Sequence, residues 1–255
     1  MARIPIALQL WSVREDCKND LPKTLEALAK MGYEGVEFAG FHGYTSAQIN
    51  KMLKDNGLRV AGSHTPISLL QGDEFAGTVE FNQALGNKYV VVPSLSDNMW
   101  NSKNACLQTA AVLNELADKL ANYGMAVGFH NHAGELRPLP VQAGGPISPY
   151  DCIFGATKQE VVMQIDIGHA MRGGGDPVAL IQKYPGRAKT VHVKEYSPED
   201  DAAVIGAGIM PWPQVFAACE TVGATEWYIV EHEKYNDLPL VCVEQCINAL
   251  RQMGK

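Results

Sequence analysis

The chain has 255 residues, of which 46% are hydrophobic and 19% are charged, so it is long enough to bury a sizeable core. Its formal net charge of −7 argues against general nucleic-acid binding, which requires a basic surface. No apolar stretch of the sequence approaches the length of a membrane span. We therefore expect a globular protein that binds neither nucleic acid nor membranes.

The N-terminal segment and the cysteines both favour a cytoplasmic protein. The segment MARIPIALQLW lacks the long apolar region and the cleavage site of a signal peptide, although a chain already trimmed of its signal would look the same. The six cysteines include no CxxC pair, which argues against a zinc knuckle. We expect reduced and mostly buried thiols rather than disulfides.

One unit recurs along the chain: an amphipathic helix, a glycine, a short apolar strand and a polar loop. Glycine just past a helix supplies the left-handed cap that turns the chain into the next strand. In chain order, the predicted strands are Ile4–Leu10, Gly35–Phe38, Leu58–Gly62, Lys88–Val92, Met125–Phe129, Val161–Ile165, Thr190–Val193 and Glu226–Val230. The predicted helices are Leu21–Met31, Ser46–Asn56, Phe75–Leu85, Asn104–Tyr123, Pro149–Ala156, Pro177–Lys183, Trp212–Thr221 and Leu238–Met253. The glycines of the five clearest units are Gly32, Gly57, Gly86, Gly124 and Gly223.

The order of these elements predicts an α/β fold of the (β/α)8 TIM barrel type. The strands are continuous β-branched and aromatic runs, as expected for parallel strands that are covered by helices. Eight strand–helix units in about 250 residues match the size of such a barrel. A doubly wound sheet is the alternative, but no GxGxxG motif follows the first strand. We expect one domain over residues 1–255.

The histidines are distributed unevenly with respect to the predicted elements. All seven lie where a predicted strand ends or in the loop that follows, and none lies in a predicted helix. They are His42, His64, His130, His132, His169, His192 and His232. Residues at the carboxyl ends of barrel strands converge on one pocket, so this distribution predicts a polar site at one end of the barrel.

Four of the converging residues form a candidate metal site. Asp166, His192 and Glu231 come from consecutive predicted strands and should be neighbours. His130 would complete four protein ligands, with Glu135 as the alternative for that position. Imidazole and carboxylate together suit a borderline divalent ion such as Mn, Co, Fe, Ni or Zn. The sequence therefore predicts one divalent metal ion.

Further residues near the strand ends are candidates for binding or catalysis. Glu37 lies in the second strand and His64 follows the third, so both should approach the pocket. Trp11 and Trp100 are candidates for stacking on a sugar ring, with core or rim packing as the alternative for each. Other candidates are His132, His169, Lys194 and Glu195.

In its motifs, the chain resembles the xylose-isomerase-like TIM barrels, which are also called sugar phosphate isomerases/epimerases. The resemblance covers the whole chain and begins at ALQLWSVRED (Ala7–Asp16). It continues through FHNH after the fifth strand, DIGH at the sixth, HVKE at the seventh, VIGAGIMPW (Val204–Trp212) and IVEHE at the eighth. The FHNH motif is similar to that of the subgroup of inosose-dehydratase-like proteins.

This resemblance implies one divalent metal, often manganese, held by Glu, Asp, His and Glu from the last four strands, and magnesium is a further alternative for this chain. Asp166, His192 and Glu231 match the last three positions, whereas His130 stands where many relatives have Glu. Ketose epimerases of this superfamily use two metal-bound glutamates as bases on opposite faces of the substrate. The change to histidine puts that arrangement in doubt, because a metal-bound imidazole has no free lone pair.

The chemistry implied by the resemblance is proton abstraction next to a carbonyl of a keto-sugar or polyol. His132 and Glu231 are the candidate bases, His169 is close enough to assist, Lys194 would hold a substrate oxygen and Glu195 would orient the lysine. Isomerisation or epimerisation is the first hypothesis. A lyase on the same scaffold, either an inosose-type dehydratase or an enzyme that cleaves 3-keto-glycosides, is the second.

Two other functions belong to different classes. An AP endonuclease needs a basic face for DNA, which the acidic composition argues against. A non-catalytic sugar-binding or accessory subunit would keep the barrel without turnover, and the changed ligand at the fifth strand leaves this alternative open. Relatives often dimerise or tetramerise, so the resemblance leaves open both a homo-oligomer and a monomer.

Overall fold

Eight parallel strands close into a barrel in which each strand pairs with its neighbours in chain order, and the pairing of the first strand with the last completes the closure. A computed structural model describes residues 3–140 and 145–255. The strands are β1 Ile6–Gln9, β2 Gly35–Phe38, β3 Arg59–His64, β4 Tyr89–Val92, β5 Ala126–His130, β6 Val162–Asp166, β7 Thr190–Val193 and β8 Trp227–Val230. The predicted (β/α)8 barrel is confirmed, and the predicted strands differ from these only at their ends.

Helices surround the barrel and follow the predicted order with two differences. In the described residues they are α1 Arg14–Met31, α2 Ser46–Asn56, α3 Glu74–Ala84, α4 Lys103–Ala121, α5 Pro149–Ala156, α6 Ile167–Arg172, α7 Pro177–Lys183, α8 Trp212–Ala218 and α9 Pro239–Gln252. The first helix begins earlier than predicted and is kinked at Asp20, whose φ of −159° and ψ of 84° are not helical. Pro22 follows this kink, in keeping with the inability of proline to continue a regular helix.

The prediction that no histidine lies in a helix is wrong for His169. This residue lies inside α6, a helix of six residues that the sequence analysis did not predict. So short a helix does not cover enough residues for hydrophobic periodicity to reveal it. It begins after Asp166, whose side chain accepts a hydrogen bond from the His169 backbone N–H and so caps the first turn.

In four of the five predicted units, the glycine after the helix has the left-handed conformation that we expected. Gly32, Gly57, Gly86 and Gly124 all have positive φ angles. In the fifth unit Ala224, the residue after the predicted Gly223, takes the left-handed conformation with a φ of 55°.

Two apolar layers determine where polar side chains can lie. The larger layer fills the space between the strands and the helices. A second, smaller cluster comprises Ala7, Ala61, Tyr89, Val91, Val162, Trp227 and Ile229. Along β6, Val162 belongs to this inner cluster, and Gln164 and Asp166 follow at every second position on the same face. The barrel interior is therefore apolar toward the amino ends of the strands and polar toward their carboxyl ends.

The structure also bears on two predictions from composition. All six cysteines are free and buried, as expected. Within residues 3–140 and 145–255, no helix combines the length and the hydropathy that a membrane span requires.

Candidate metal and substrate site

Four side chains meet at the carboxyl end of the barrel, and they are the four that the sequence analysis selected as metal ligands. His130, Asp166 and His192 lie at or near the ends of β5, β6 and β7, and Glu231 follows β8 directly. One ligand atom from each residue lies within 4.8 Å of the others, and all four residues are buried. His192 Nδ1 is 3.3 Å and His130 Nε2 is 3.9 Å from Glu231 Oε2. We call this group the ligand cluster.

Unpartnered atoms in the ligand cluster fit a bound cation. Asp166 Oδ1 accepts a hydrogen bond of 2.6 Å from the His169 N–H, whereas the buried Oδ2 has no hydrogen-bond partner among residues 3–140 and 145–255. The buried Nδ1 of His130 also has no partner in that part of the chain, but the nitrogen of this ring that faces Glu231 is Nε2. Burial raises the pKa of Asp166, so the carboxylate needs a positive partner to remain charged. Two imidazoles and two carboxylates suit Mn, Fe, Co, Ni or Zn.

A buried carboxylate orients His192, one of the two histidines of the ligand cluster. His192 Nε2 lies 2.6 Å from Glu37 Oε2, which leaves Nδ1 facing Glu231. Gln9 and Gln164 donate hydrogen bonds of 2.6 and 2.7 Å to the two oxygens of Glu37. Although burial opposes its charge, Glu37 and Glu231 raise the pKa of His192 to about 10. This is the carboxylate–histidine arrangement that commonly supports a metal ligand.

Glu37 therefore does not occupy the position expected of a substrate contact. It is fully buried, and its oxygens are occupied by the partners just described. Space for its carboxylate depends on Gly62 of β3, where an added Cβ would lie 2.8 Å from Glu37 Oε1. His64 differs from Glu37 because it lines the cavity, with its Nε2 2.7 Å from Gln164 Oε1 and its ring stacked on that of His192.

A second polar group flanks the ligand cluster and includes a residue that the sequence analysis missed. Lys194 Nζ donates to Glu233, lies 3.1 Å from His169 Nε2 and lies 3.7 Å from Glu231. His169 Nε2 also lies 3.3 Å from Glu233 Oε2. Glu233 follows Glu231 by two residues, and the alternation of side chains along an extended segment was a signal that could have identified it.

His132 lies between this polar group and the open cavity. Its ring centroid is 4.8 Å from that of His169 and 5.1 Å from that of His130. Burial first, and then the neighbouring His169, lowers the pKa of His132. The imidazole is therefore held in its neutral form, which can accept a proton.

Two other candidates, Glu135 and Trp100, lie outside this arrangement. Glu135 is buried and accepts a hydrogen bond of 3.1 Å from the His132 N–H, and it belongs to none of the groups of clustered ligand atoms in the described residues. Trp100 packs against Gly134, where an added Cβ would lie 3.2 Å from its ring, and it is not on the cavity wall. The geometry thus favours His130 over Glu135 as the ligand from the fifth strand.

Glu195 also differs from its predicted role of orienting Lys194. Its carboxylate accepts hydrogen bonds from the backbone N–H groups of Tyr196, Gly206 and Met210, and from Trp212 Nε1. The three backbone donors belong to the loop between β7 and α8, and Trp212 is the first residue of α8. The side chain therefore holds this loop together and has little capacity left for substrate.

The cavity above the ligand cluster has a volume of about 800 Å³. His130, His132, Glu231 and Glu233 line one of its walls, and Trp11 lies on another part of the wall with 47% of its surface exposed. The position of Trp11 is compatible with its predicted stacking on a ligand.

Comparisons with known proteins agree with this architecture. The family model of the xylose isomerase-like TIM barrel matches residues 25–252. An inosose dehydratase of Erwinia tasmaniensis is 23% identical over 85% of this chain and 84% of its own length. A sugar phosphate isomerase/epimerase from Parabacteroides distasonis superposes with a TM-score of 0.81 at 24% identity, over 98% of this chain and 94% of that one. The IOLI protein, solved with a bound zinc atom, superposes with a TM-score of 0.71 at 15% identity, over 98% of this chain and 96% of that one. The chain belongs to the xylose isomerase-like TIM barrel family, as its motifs implied.

Proposed function

We propose that this protein is a divalent-metal-dependent enzyme that removes a proton next to the carbonyl of a keto-sugar or keto-polyol and eliminates a group from the neighbouring carbon. The observation that carries the proposal is the ligand cluster, in which His130, Asp166, His192 and Glu231 offer four ligand atoms within 4.8 Å of one another. A divalent cation held there would act as a Lewis acid on adjacent carbonyl and hydroxyl oxygens, which acidifies the proton on the carbon beside the carbonyl.

His132 is the base in this proposal. It lines the cavity and stands beside the ligand cluster without belonging to it in the arrangement we favour, so its imidazole keeps a free lone pair. Its lowered pKa keeps that lone pair available near neutral pH. The backbone N–H of His132 donates to Glu135, which fixes the start of the loop that carries the base.

In this proposal, Lys194 stabilises the departing group. Its ammonium is held between His169, Glu231 and Glu233, so it is a fixed cation at the edge of the ligand cluster. A hydrogen bond from Lys194 to the departing oxygen stabilises the negative charge that develops there. Glu233 and His169 position the ammonium, a role that Glu195 cannot fill from its place in the loop after β7.

The composition of the ligand cluster favours elimination over epimerisation. Of its two carboxylates, Asp166 has one oxygen committed to the His169 N–H, which leaves Glu231 as the carboxylate less constrained by the backbone. Elimination needs a single base together with a donor for the leaving group. The name of the dehydratase relative agrees with this outcome.

Isomerisation or epimerisation is the second candidate. His132 and Glu231 both line the cavity, and two bases beside one substrate are what the return of a proton to a different face or carbon requires. The names of several structural neighbours agree with this outcome, including an L-ribulose 3-epimerase.

The test combines metal analysis with proton exchange. We expect about one Mn, Fe, Co, Ni or Zn per chain by plasma mass spectrometry of the untagged protein. In deuterated buffer, we expect loss of the α-proton signal of inosose or a small keto-sugar, followed by an unsaturated product. Exchange without elimination on every keto-sugar tested would favour the isomerase. A metal-free protein that binds sugars and exchanges no proton would overturn the proposal in favour of a binding subunit.

A further inference from the structure

The cavity above the ligand cluster has two sides that differ in chemistry. Residues at the ends of β5 and β8 form the polar side, which includes His130, His132, Glu231 and Glu233. The loops after β1 to β4 and one face of α3 form the other side. Four large apolar side chains lie on it, and we call them the apolar side of the cavity: Trp11, Phe41, Leu69 and Phe81.

One carboxylate, that of Glu74, lies among these apolar side chains. Glu74 is the first residue of α3, it is exposed and it lines the cavity. Within residues 3–140 and 145–255, its carboxylate takes part in no ion pair. The other two carboxylates of the cavity wall differ, because Glu231 belongs to the ligand cluster and Glu233 pairs with Lys194. Glu74 therefore brings an unbalanced negative charge to the cavity.

The cavity wall offers no side chain that would bind an anionic substituent. None of the described residues that line it is Lys or Arg. Lys194 is held by Glu231 and Glu233 behind the wall. The Arg14 guanidinium lies over the ring of Trp11, 5.0 Å from its centroid, and donates a hydrogen bond of 2.8 Å to the hydroxyl of Tyr235. A phosphate on the substrate would therefore meet carboxylates without a compensating side-chain cation.

The loop after β7 does not supply a phosphate site either. TIM barrels frequently bind a substrate phosphate with the loops after the seventh and eighth strands. In this chain the backbone N–H groups of Gly206 and Met210 donate to the carboxylate of Glu195. The loop closes tightly around that carboxylate, since a Cβ added to Gly208 would lie 2.6 Å from Glu195 Oε1. The protein's own carboxylate thus takes donors that a phosphate would need.

Helix α3 leaves open space beside the Glu74 carboxylate. Glu74, Gly77 and Thr78 are spaced so that they share one helical face, and all three line the cavity. Glycine inside a helix is destabilising relative to alanine. Yet the backbone of Gly77 is not left-handed, and an added Cβ would meet no atom within 4 Å. Neither the backbone nor the protein packing requires glycine here, so the space is available to a group of the ligand.

We propose that Glu74 binds an ammonium substituent of the substrate, so that the substrate class is an amino-substituted keto-sugar or keto-polyol without phosphate. This inference rests on the proposed function, because it places the keto group at the ligand cluster and the amine across the cavity. The faces of aromatic rings attract cations, so Phe41 and Phe81 favour the same substituent as Glu74. A neutral apolar substituent would take water from the carboxylate without replacing its hydrogen bonds, which is unfavourable.

The experiment compares methyl glucopyranoside with its amino-deoxy derivatives at each ring position and with its phosphate ester at the primary hydroxyl. None of these probes has a free carbonyl, so none can react and each reports binding alone. Nuclear magnetic resonance titrations of the metal-loaded full chain give the Kd, at a pH at which the amines are protonated. We expect the best amino derivative to bind on the order of 10-fold more tightly than the parent, and the phosphate ester to bind more weakly. The preference should decrease with added salt, because Glu74 is exposed.

Variants on α3 test the location. Glu74→Gln removes the charge at nearly the same size, and the preference for the amino derivative should fall toward one. Glu80→Gln is the matched control, because Glu80 is exposed on the same helix and is not on the cavity wall, and its preference should stay at the wild-type value. Gly77→Leu fills the space beside Glu74 and should also weaken binding of the amino derivative. Glutamine and leucine are good helix formers, so thermal unfolding should show that these variants are folded.

The outcomes separate this inference from the proposed function, which α-proton exchange on inosose tests in the same preparation. Equal binding of the parent and of every amino derivative, with exchange intact, would overturn the ammonium subsite and leave the proposed function standing. A preference for an amine without exchange would support the subsite and overturn the proposed function. A preference that survives Glu74→Gln would overturn the role of Glu74. Tightest binding of the phosphate ester would overturn the inference in favour of a phosphorylated substrate.

Discussion

The two halves of the barrel share one architecture but carry different side chains where their strands end. At or near the ends of β5 to β8 lie the four residues of the ligand cluster and the flanking Lys194 and Glu233. After β1 to β3 come apolar and aromatic residues that line the cavity, such as Trp11, Phe41 and Leu69. Within β2 and β3 lie two supporting residues, the buried Glu37 and the cavity-lining His64. The first half therefore shapes and supports a site whose reactive groups belong to the second.

This difference follows from the geometry of a closed sheet. Side chains that share one ion must lie within a few ångströms, and adjacent strands provide that proximity. Strands across the barrel also reach this end of its interior, because ligand atoms of His64 on β3, His130 and His192 lie within 4.8 Å of one another. Their inward residues can also hydrogen-bond to the ligands. Glu37 does so from β2 to His192 on β7, at 2.6 Å.

The largest effect is expected from Asp166→Asn in the second half. Asparagine caps a helix about as well as aspartate, so α6 should persist while the charged ligand is lost. We expect bound metal and α-proton exchange to fall to background, with a folded protein by circular dichroism. Asp176→Asn is the control, because Asp176 caps α7 through Val178 and Ala179 in a comparable way. Full metal content in Asp166→Asn would contradict the ligand cluster.

His132→Ala tests whether, in the second half, the residue that abstracts the proton is distinct from the residues that bind the metal. We expect metal to be retained and the rate of α-proton exchange to fall on the order of 10²–10⁴-fold, the usual contribution of a general base. The control is His42→Asn, since His42 is exposed with a φ of 50°, a conformation that asparagine tolerates. Loss of metal would instead favour the alternative grouping of His130, His132 and His169.

Glu37→Gln probes the contribution of the first half to metal binding. The amide is nearly isosteric but loses the charge that orients His192, so metal affinity should fall on the order of 10–100-fold. Competition with a chelator measures the affinity, and Glu80→Gln on the exposed face of α3 is the control. An unchanged affinity together with a raised KM would restore the initial interpretation of Glu37 as a substrate contact.

The smallest effect is expected from Glu195→Gln, on stability rather than catalysis. The variant places an amide donor against N–H groups that now donate to the carboxylate, which should lower the free energy of unfolding by about 1–3 kcal/mol. Urea unfolding measures this, with Glu199→Gln in the same loop as an exposed control. A large rise in KM without a loss of stability would show that Glu195 contacts substrate after all.

The barrel and the ligand cluster could be predicted from the sequence because both depend on local patterns. Apolar runs separated by helix-plus-glycine units indicate the strands, and strand ends converge by topology. The roles of Glu37 and Glu195 could not be predicted in this way. The carboxylate of Glu195 binds groups as far along the chain as Trp212, and such a contact depends on the path of the intervening loop.

The apolar side of the cavity could not be predicted from the sequence either. Its residues, such as Phe41 and Phe81, look like ordinary core positions in the sequence, and only the fold shows that their rings border an open volume. Helix α6 was missed because a helix of six residues has too little periodicity to detect.

Asp166 has two functions, and their combination provides a spectroscopic reporter. One of its oxygens accepts the His169 N–H that begins α6, and the other is left for a cation. Any ion that draws electron density from this carboxylate must weaken the hydrogen bond at its opposite oxygen. The amide resonance of His169 should therefore shift on metal loading, and its solvent-exchange rate should change as well. This single backbone proton would report occupancy of the site in the absence of any substrate.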